Sequence, residues 1–273
     1  MPNPERKTGG NARVALVTGA ARGNGLAIAQ ALAGDGHTLY LADIAADIRE
    51  VPYALATPAE LEEAAAALRR AGAEAHALRC DVRDGAALSA MIEQIERGQG
   101  RLDVLVNNAG VLVLNPIERV SEAEWDLHMD VIVKGTFLAS RAALPGMTRR
   151  GWGRIVNIAS IAGERGLGTA TAYTAAKHAV LGFTRALAME VAKQGITVNA
   201  VCPGTVPTAL VRETGRVLGL SPEDTIAQFS QRHLTQTPIA PRDVAEAVRW
   251  LASDSAARVN GSALFVDDGW HCH

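Results

Sequence analysis

From Arg13 onward the chain alternates short β-branched apolar runs with longer Ala- and Leu-rich stretches of helical spacing. Residues 14–18 predict a strand and residues 26–33 the helix behind it. Strands are expected at 37–43, 75–82 and 102–106, with helices at 61–70 and 86–96 between them. Residues 122–147 hold room for two helices, followed by a fifth strand at 154–159 and a long helix at 171–193. A sixth strand at 197–201 and a seventh at 263–266 complete the pattern. Most of these strands are continuously apolar, which predicts burial on both faces and a parallel sheet between helical layers.

Strand–helix alternation with right-handed crossovers predicts an α/β fold, a Rossmann-type doubly wound parallel sheet of about seven strands. No linker, repeat or shift in composition divides the 273 residues, so a single domain over 1–273 is expected. Residues 1–12 read as a disordered arm. Residues 204–241 are the least regular stretch, and they follow a strand's carboxyl end, so they are expected to cover the substrate. Leu210, Val211, Ile226 and Phe229 make that cover partly apolar.

Hydrophobic residues make up 48% of the chain, charged residues 21%, and the formal net charge is −2. Basic residues never run longer than a pair such as Arg69-Arg70, which argues against a nucleic-acid surface. An apolar leader or an eighteen-residue apolar span is not seen, so a cytoplasmic protein without a membrane partner is expected. The three cysteines, Cys80, Cys202 and Cys272, are widely spaced and do not form a disulfide framework; the first two read as buried thiols. The terminal His271-Cys272-His273 has metal-binding residue types, but adjacent residues do not readily face one ion, and a free or subunit-contacting terminus is expected.

Gly19, Gly23 and Gly25 follow the first strand and open a helix. Glycines there let backbone N–H groups approach phosphate oxygens at a helix N-terminus. Asp43 closes the second strand, where a carboxylate accepts bonds from an adenosine ribose and repels a 2′-phosphate. NAD is therefore expected over NADP. Arg22, in the glycine loop, is the opposing signal, since a guanidinium pairs well with that phosphate.

Tyr173 and Lys177 stand one helical turn apart, thirteen residues after Ser160. A tyrosine is a poor base at neutral pH, and a neighbouring ammonium favours its phenolate. Ser160, expected at the end of the fifth strand, would hydrogen-bond the reacting oxygen.

These pieces together resemble the short-chain dehydrogenase/reductase family over residues 13–269. The resemblance is carried by Thr18-Gly-Ala-Ala-Arg-Gly-Asn-Gly25, Asp81-Val82, Asn107-Asn-Ala-Gly110, Ser160, Tyr173-x3-Lys177 and Pro203-Gly-Thr-Val-Pro-Thr208. It implies Tyr173 as acid/base, Ser160 positioning the carbonyl, and Lys177 also holding the nicotinamide ribose. Asp81 and Val82 would flank the adenine, Asn108 and Gly110 would line the cofactor groove, and Val206 and Thr208 would meet the nicotinamide carboxamide. Arg22, Asn24, Ile44, Ala109, Pro203 and Gly204 complete the implied cofactor-binding set. The resemblance further implies a homotetramer and chemistry without a metal.

Two features set the chain apart within the family. Ile132 stands where members usually carry Asn, whose backbone carbonyl helps hold a water that relays protons from the lysine. Residues 44–58 are longer than a usual strand–helix connection. The run Val51-Pro-Tyr-Ala-Leu-Ala-Thr-Pro58 resembles an insertion of carveol-dehydrogenase-like, mycofactocin-associated members, which implies a cover over the cofactor; the alternative is a plain solvent loop. An NAD-dependent oxidoreductase of secondary alcohols or ketones is the leading expectation. A 3-oxoacyl-thioester reductase, a non-catalytic dinucleotide-binding protein and an epimerase or dehydratase are the alternatives.

Overall fold

The β-branched run Val14–Thr18 (β1) has no polar face, and the structure buries all five of its residues. Val14 and Leu16 pack toward one side, Ala15 and Val17 toward the other. The computed structural model describes residues 12–217 and 219–272. The expected arm at 1–12 lies outside them, apart from Ala12.

β1 is joined by Thr38–Asp43 (β2), Ala75–Arg79 (β3), Val104–Asn107 (β4), Gly153–Ile158 (β5), Ile196–Pro203 (β6) and Ala263–Val266 (β7). They form one sheet in the order β3-β2-β1-β4-β5-β6-β7, every pair parallel. The order reverses between β1 and β4, and a crevice opens at the carboxyl ends on either side of that point. Gly23–Gly34 (α1) and Pro58–Arg70 (α2) cover one face, while Gly85–Gln99 (α3) covers the other.

Helix starts are set by caps rather than by the first apolar residue. Thr57 and Glu60 form a capping box, so α2 begins at Pro58, ahead of Leu61 where the apolar period starts. Asp84 caps α3 through the Ala86 and Ala87 amides. The two helices expected over 122–147 are Glu122–His128 (α4) and Gly135–Arg150 (α5), joined by a π-helical turn, Met129–Lys134. Thr171–Val191 (α6) carries the Tyr/Lys pair.

Residues 204–241 are more ordered than expected. They contain Ala209–Val217 (α7) and Pro222–Ser230 (α8). The second is signalled by Ser221 as N-cap, Pro222 at the first helical position and Glu223 and Asp224 in the first turn. Pro241–Leu251 (α9) follows, burying Val244, Ala245, Val248 and Leu251 against α1 and the β5–β7 part of the sheet. Several strand ends also differ from expectation: β4 runs Val104–Asn107 and β6 runs Ile196–Pro203. β3 stops at Arg79, and β5 stops at Ile158, so Ser160 stands two residues beyond the sheet.

The terminal turn Trp270–Cys272 folds back onto the domain. His271 stacks on Phe265 and bonds Asp267 at 2.9 Å, and its carbonyl accepts from Arg165. The expected free terminus is thus packed as far as Cys272. Among the described residues no cluster of His, Cys, Asp or Glu is placed to hold a metal ion, and no helix is long and apolar enough to cross a membrane.

Candidate active site

One groove runs along the carboxyl ends of the strands, and each segment leaving β1 to β6 lends it a wall. From β1 comes the glycine loop. Gly19 (φ +64°) and Gly23 (φ +60°) hold left-handed backbone that disfavours a side chain. A Cβ at Gly19 would stand 2.9 Å from the Ala109 Cα, so the loop is also pressed against the β4 segment. Asn108 locks that contact: its Nδ2 donates to the Thr18 and Gly19 carbonyls, both at 2.9 Å. The Asn108 and Ala109 amides donate to Thr18 Oγ1 at 3.0 and 3.1 Å.

Gly25 lies behind the wall rather than in it. A Cβ there would collide with the Gly19 carbonyl oxygen, so this glycine serves the close packing of loop on helix. Asn24 lines the groove, and its buried Oδ1 has no hydrogen-bond partner in the protein. Buried polar atoms are rarely left so, which marks a place where a bound polar group fits.

Asp43 stands at the end of β2, its two oxygens accepting from the Ala21 amide at 3.2 Å and the Ala45 amide at 3.1 Å. The carboxylate is thereby aimed across the loop, beside Ile44. Arg22, the opposing signal, is committed elsewhere: its Nη2 donates to the Ala54 carbonyl at 2.6 Å. Asp81 and Val82 follow β3. Burial opposes the Asp81 charge, yet bonds from Arg83 outweigh it and hold the carboxyl below its ordinary range. Beside them, burial pushes the Cys80 thiol up to about 11.

The connection 44–58 is no solvent loop. Ile48, Val51, Tyr53 and Ala56 are buried, and Ile48, Tyr53, Leu55 and Ala56 line the groove. The chain turns back sharply at Ala45 (φ +48°) and lies over the groove as a strap, tied to the glycine loop through Arg22.

At the opposite end, Ser160, Tyr173 and Lys177 converge on the same groove with Gly110, Pro203, Gly204, Val206 and Thr208. Ser160 Oγ accepts from the Ala162 amide at 3.1 Å, which orients the hydroxyl. Lys177 is 4% exposed, and its Nζ donates to the Ile158 carbonyl at 2.7 Å. Burial lowers its pKa to about 8. The ammonium stands 5.5 Å from the centre of the Tyr173 ring.

The electrostatics here differ from expectation. Burial holds the Tyr173 phenol above its ordinary value, with a hydrogen bond from Ser160 pulling the other way. Desolvation of the phenolate therefore outweighs that bond. At neutral pH Tyr173 carries its proton. Cys202, fully buried beside this set, has a thiol pushed up by burial to about 12 and stays inert.

Ile132 lies in the π-helical turn behind the site, 1% exposed, packed with Ala159, Ala176, Val180 and the Tyr173 ring. Its carbonyl accepts from Thr136 Oγ1 at 2.7 Å.

Two histidines that sequence alone left without a place brace the walls. His128 accepts the Val113 amide proton at its Nε2 (3.2 Å) and bonds the Glu124 carbonyl through Nδ1 (2.8 Å). His233 likewise accepts from the Thr205 amide at 3.0 Å and bonds the Thr237 carbonyl. Burial lowers the His128 pKa, in keeping with a neutral ring. Tyr53 was overlooked inside the strap. Its only sequence signal is an aromatic ring in an otherwise Ala- and Pro-rich loop.

Comparison with known proteins agrees with this geometry. The family model described as Enoyl-(Acyl carrier protein) reductase matches residues 19–271. The chain is 41% identical over 260 residues to 2-(S)-hydroxypropyl-CoM dehydrogenase 3 of Xanthobacter autotrophicus, covering 94% of this chain and 95% of that one. Its structure resembles carveol dehydrogenase from Mycobacterium avium in complex with NAD, with TM-score 0.91, 32% identity and coverage of 96% and 98%. It also resembles a single-residue variant of actinorhodin polyketide ketoreductase with NADPH, with TM-score 0.86, 37% identity and coverage of 96% and 98%. The chain belongs to the short-chain dehydrogenase/reductase family and is an oxidoreductase of that family.

Proposed function

We propose that the protein is an NAD-dependent oxidoreductase that interconverts a secondary alcohol and its ketone. The carrying observation is the convergence of Ser160, Tyr173 and Lys177 on one end of a groove whose other end holds the glycine loop and Asp43. A dinucleotide suits these residues. The left-handed loop offers its amides to the pyrophosphate, the Asn24 Oδ1 lacks a partner, and Asp43 faces the adenosine ribose. Asp81 and Val82 would flank the adenine, Asn108 and Gly110 would line the groove, Lys177 would hold the nicotinamide ribose, and Val206 and Thr208 would meet the carboxamide. NAD is favoured because a 2′-phosphate would lie against the Asp43 charge, while Arg22 is engaged by Ala54. The carveol dehydrogenase relative binds NAD and the ketoreductase relative NADPH, so the preference rests on Asp43.

When bound, the nicotinamide supplies the hydride acceptor or donor at carbon. The protein's part is proton transfer and positioning. In reduction, the Tyr173 phenol gives its proton to the carbonyl oxygen while the Ser160 hydroxyl fixes that oxygen. In oxidation, Tyr173 acts in its phenolate form: it takes the hydroxyl proton and becomes the neutral phenol, and before that step the Lys177 ammonium steadies the phenolate charge. Residues 204–241 cover the substrate, with Leu210 and Val211 lining the groove. Assembly as a homotetramer is carried over from the family resemblance.

The test is a panel of secondary alcohols and ketones followed by absorbance, with NAD and NADP supplied separately. Net NADH formation with an added alcohol is expected. Dinucleotide binding without net NADH formation would favour the non-catalytic reading. A preference for 3-oxoacyl thioesters with NADPH would favour the ketoreductase reading that the polyketide relative suggests.

A further inference from the structure

Residues 110–115 leave β4 as irregular chain: Gly110 and Val111 line the groove, and Leu112 and Leu114 are buried against Ala170, Leu167, Tyr173 and Leu210. This is an aliphatic wall beside the reacting phenol. Such a segment has no ladder to satisfy its amides, so each needs a separate partner. The Val113 amide goes to His128, and the Asn115 amide to the Thr169 carbonyl at 2.8 Å. The Leu112 amide donates at 3.1 Å to the hydroxyl of Tyr53, from the strap.

That bond joins two parts of the site that are remote in sequence. Directly after Tyr53 the strap is held by Arg22 on the Ala54 carbonyl and by the Leu55 amide on Asp47 Oδ1 at 2.9 Å. In its middle, Ile48, Val51 and Tyr53 are seated in the main apolar core. Tyr53 is 8% exposed and lines the groove, and Leu112 is 9% exposed, so water is a poor substitute partner for either group.

We propose that Tyr53 is a positioning and specificity-determining residue, which through the Leu112 amide makes the strap and the aliphatic substrate wall move as one unit. For catalysis this rests on the alcohol-dehydrogenase reading; the mechanical coupling rests on geometry alone. The consequence is that seating the strap sets the shape of the aliphatic wall beside Tyr173. The class of substrate so selected is a secondary alcohol or ketone with a bulky hydrocarbon skeleton.

The experiment uses the full chain and two variants, Tyr53→Phe and Arg22→Ala, followed by hydrogen–deuterium exchange without added nucleotide. Tyr53→Phe keeps the ring and removes only the hydroxyl. It should speed exchange in peptides over 110–115 by about fivefold, with β5 and α6 unchanged. Arg22→Ala loosens the strap at Ala54, beside Tyr53, and should speed exchange at 110–115 as well, whereas adding it to Tyr53→Phe as a double variant should speed exchange there no further. Unchanged exchange at 110–115 in Tyr53→Phe overturns the coupling.

In turnover with NAD, Tyr53→Phe should shift the ratio of kcat/KM for menthol over 2-propanol by about fivefold, chiefly through KM. A ratio unmoved while exchange is coupled overturns the specificity role. A wild-type protein inactive on every alcohol and ketone defeats the enzymatic reading, and with it the specificity role, while the exchange data still decide the coupling.

Discussion

At the adenosine end of the groove the binding surface is backbone held in place by short-range necessity, whereas at the substrate end it is loop held by distant side chains. Gly19, Gly23 and Gly25 are required by positive φ or by contacts too close for a Cβ, and Asp43 acts from the end of its own strand. By contrast, Leu112, Val113 and Thr205 each depend on one side chain from elsewhere: Tyr53, His128 and His233. Between these regions stand Tyr173 and Lys177, on the rigid helix α6. The contrast separates what any dinucleotide demands from what one particular substrate demands. The first allows few solutions and the second many.

The largest effect should come from Tyr173→Phe, which removes the transferable proton and leaves both ends of the groove intact. Turnover should fall by about 10²–10⁴-fold, while the NADH Kd, read by fluorescence titration, stays within a few-fold. Since burial holds the Tyr173 phenol above its ordinary value, its basic form grows as pH rises. Wild-type alcohol oxidation should therefore quicken through the alkaline range and ketone reduction slow. Opposite slopes in kcat/KM would remove Tyr173 from the acid/base role.

Next in size is Asp43→Asn, which strikes the adenosine end alone. Removing the charge while keeping the shape should lower the NAD-to-NADP ratio of kcat/KM by at least about tenfold, equal to roughly 1.4 kcal/mol. The menthol-to-2-propanol ratio should hold. Were both ratios to move together, the two ends would not be separable.

How far each end was legible in the sequence follows from the same contrast. The glycine loop, Asp43 and the Tyr/Lys pair are local patterns, and the structure brings them to one groove as expected. The strap was recognisable as an overlong connection and, by resemblance, as a cover, but its contacts were not, because its seating depends on Ile48 and Val51 finding a core formed far along the chain. His128 and His233 carry no signal at all: each acts through a backbone amide 15 or 28 residues away. The helices within 204–241 were missed for another reason. Ser221-Pro222 is a start signal, but α8 is short and its polar residues mask the period.

Lys177→Met tests the centre of the molecule through stability rather than through a ratio of rates. Lowering an ammonium from 10.5 to about 8 disfavours the folded state by roughly 3 kcal/mol at neutral pH. The Ile158 bond returns about 1 kcal/mol of that. The methionine variant should thus be more stable by about 2 kcal/mol at pH 7, though catalytically crippled. The sign with pH follows from proton counts. Between about 8 and 10.5 the unfolded wild type binds more protons than the folded one, so wild-type stability rises there. The advantage of the variant should accordingly shrink as pH is raised from 7 to 10, measured by urea unfolding. A constant or growing advantage would mean that Lys177 is not a buried charge at rest.

Ile132→Asn should give the smallest change in rate, and it probes whether the family's usual amide is needed behind the centre. Ile132 seals an apolar cluster with Ala159, Ala176 and Val180, so Asn there buries an amide at a cost of roughly 1–3 kcal/mol in stability. Its own carbonyl accepts from Thr136, and a carbonyl oxygen keeps a second lone pair for a water. If proton relay past Lys177 uses that backbone oxygen, the added side chain changes turnover by less than about tenfold, far below the effect of Tyr173→Phe. If the relay needs the amide itself, Ile132→Asn should instead raise kcat well beyond tenfold despite the lost stability. That result would place the wild type among slowed members of its family, with the substrate wall rather than the proton path as its best-kept feature.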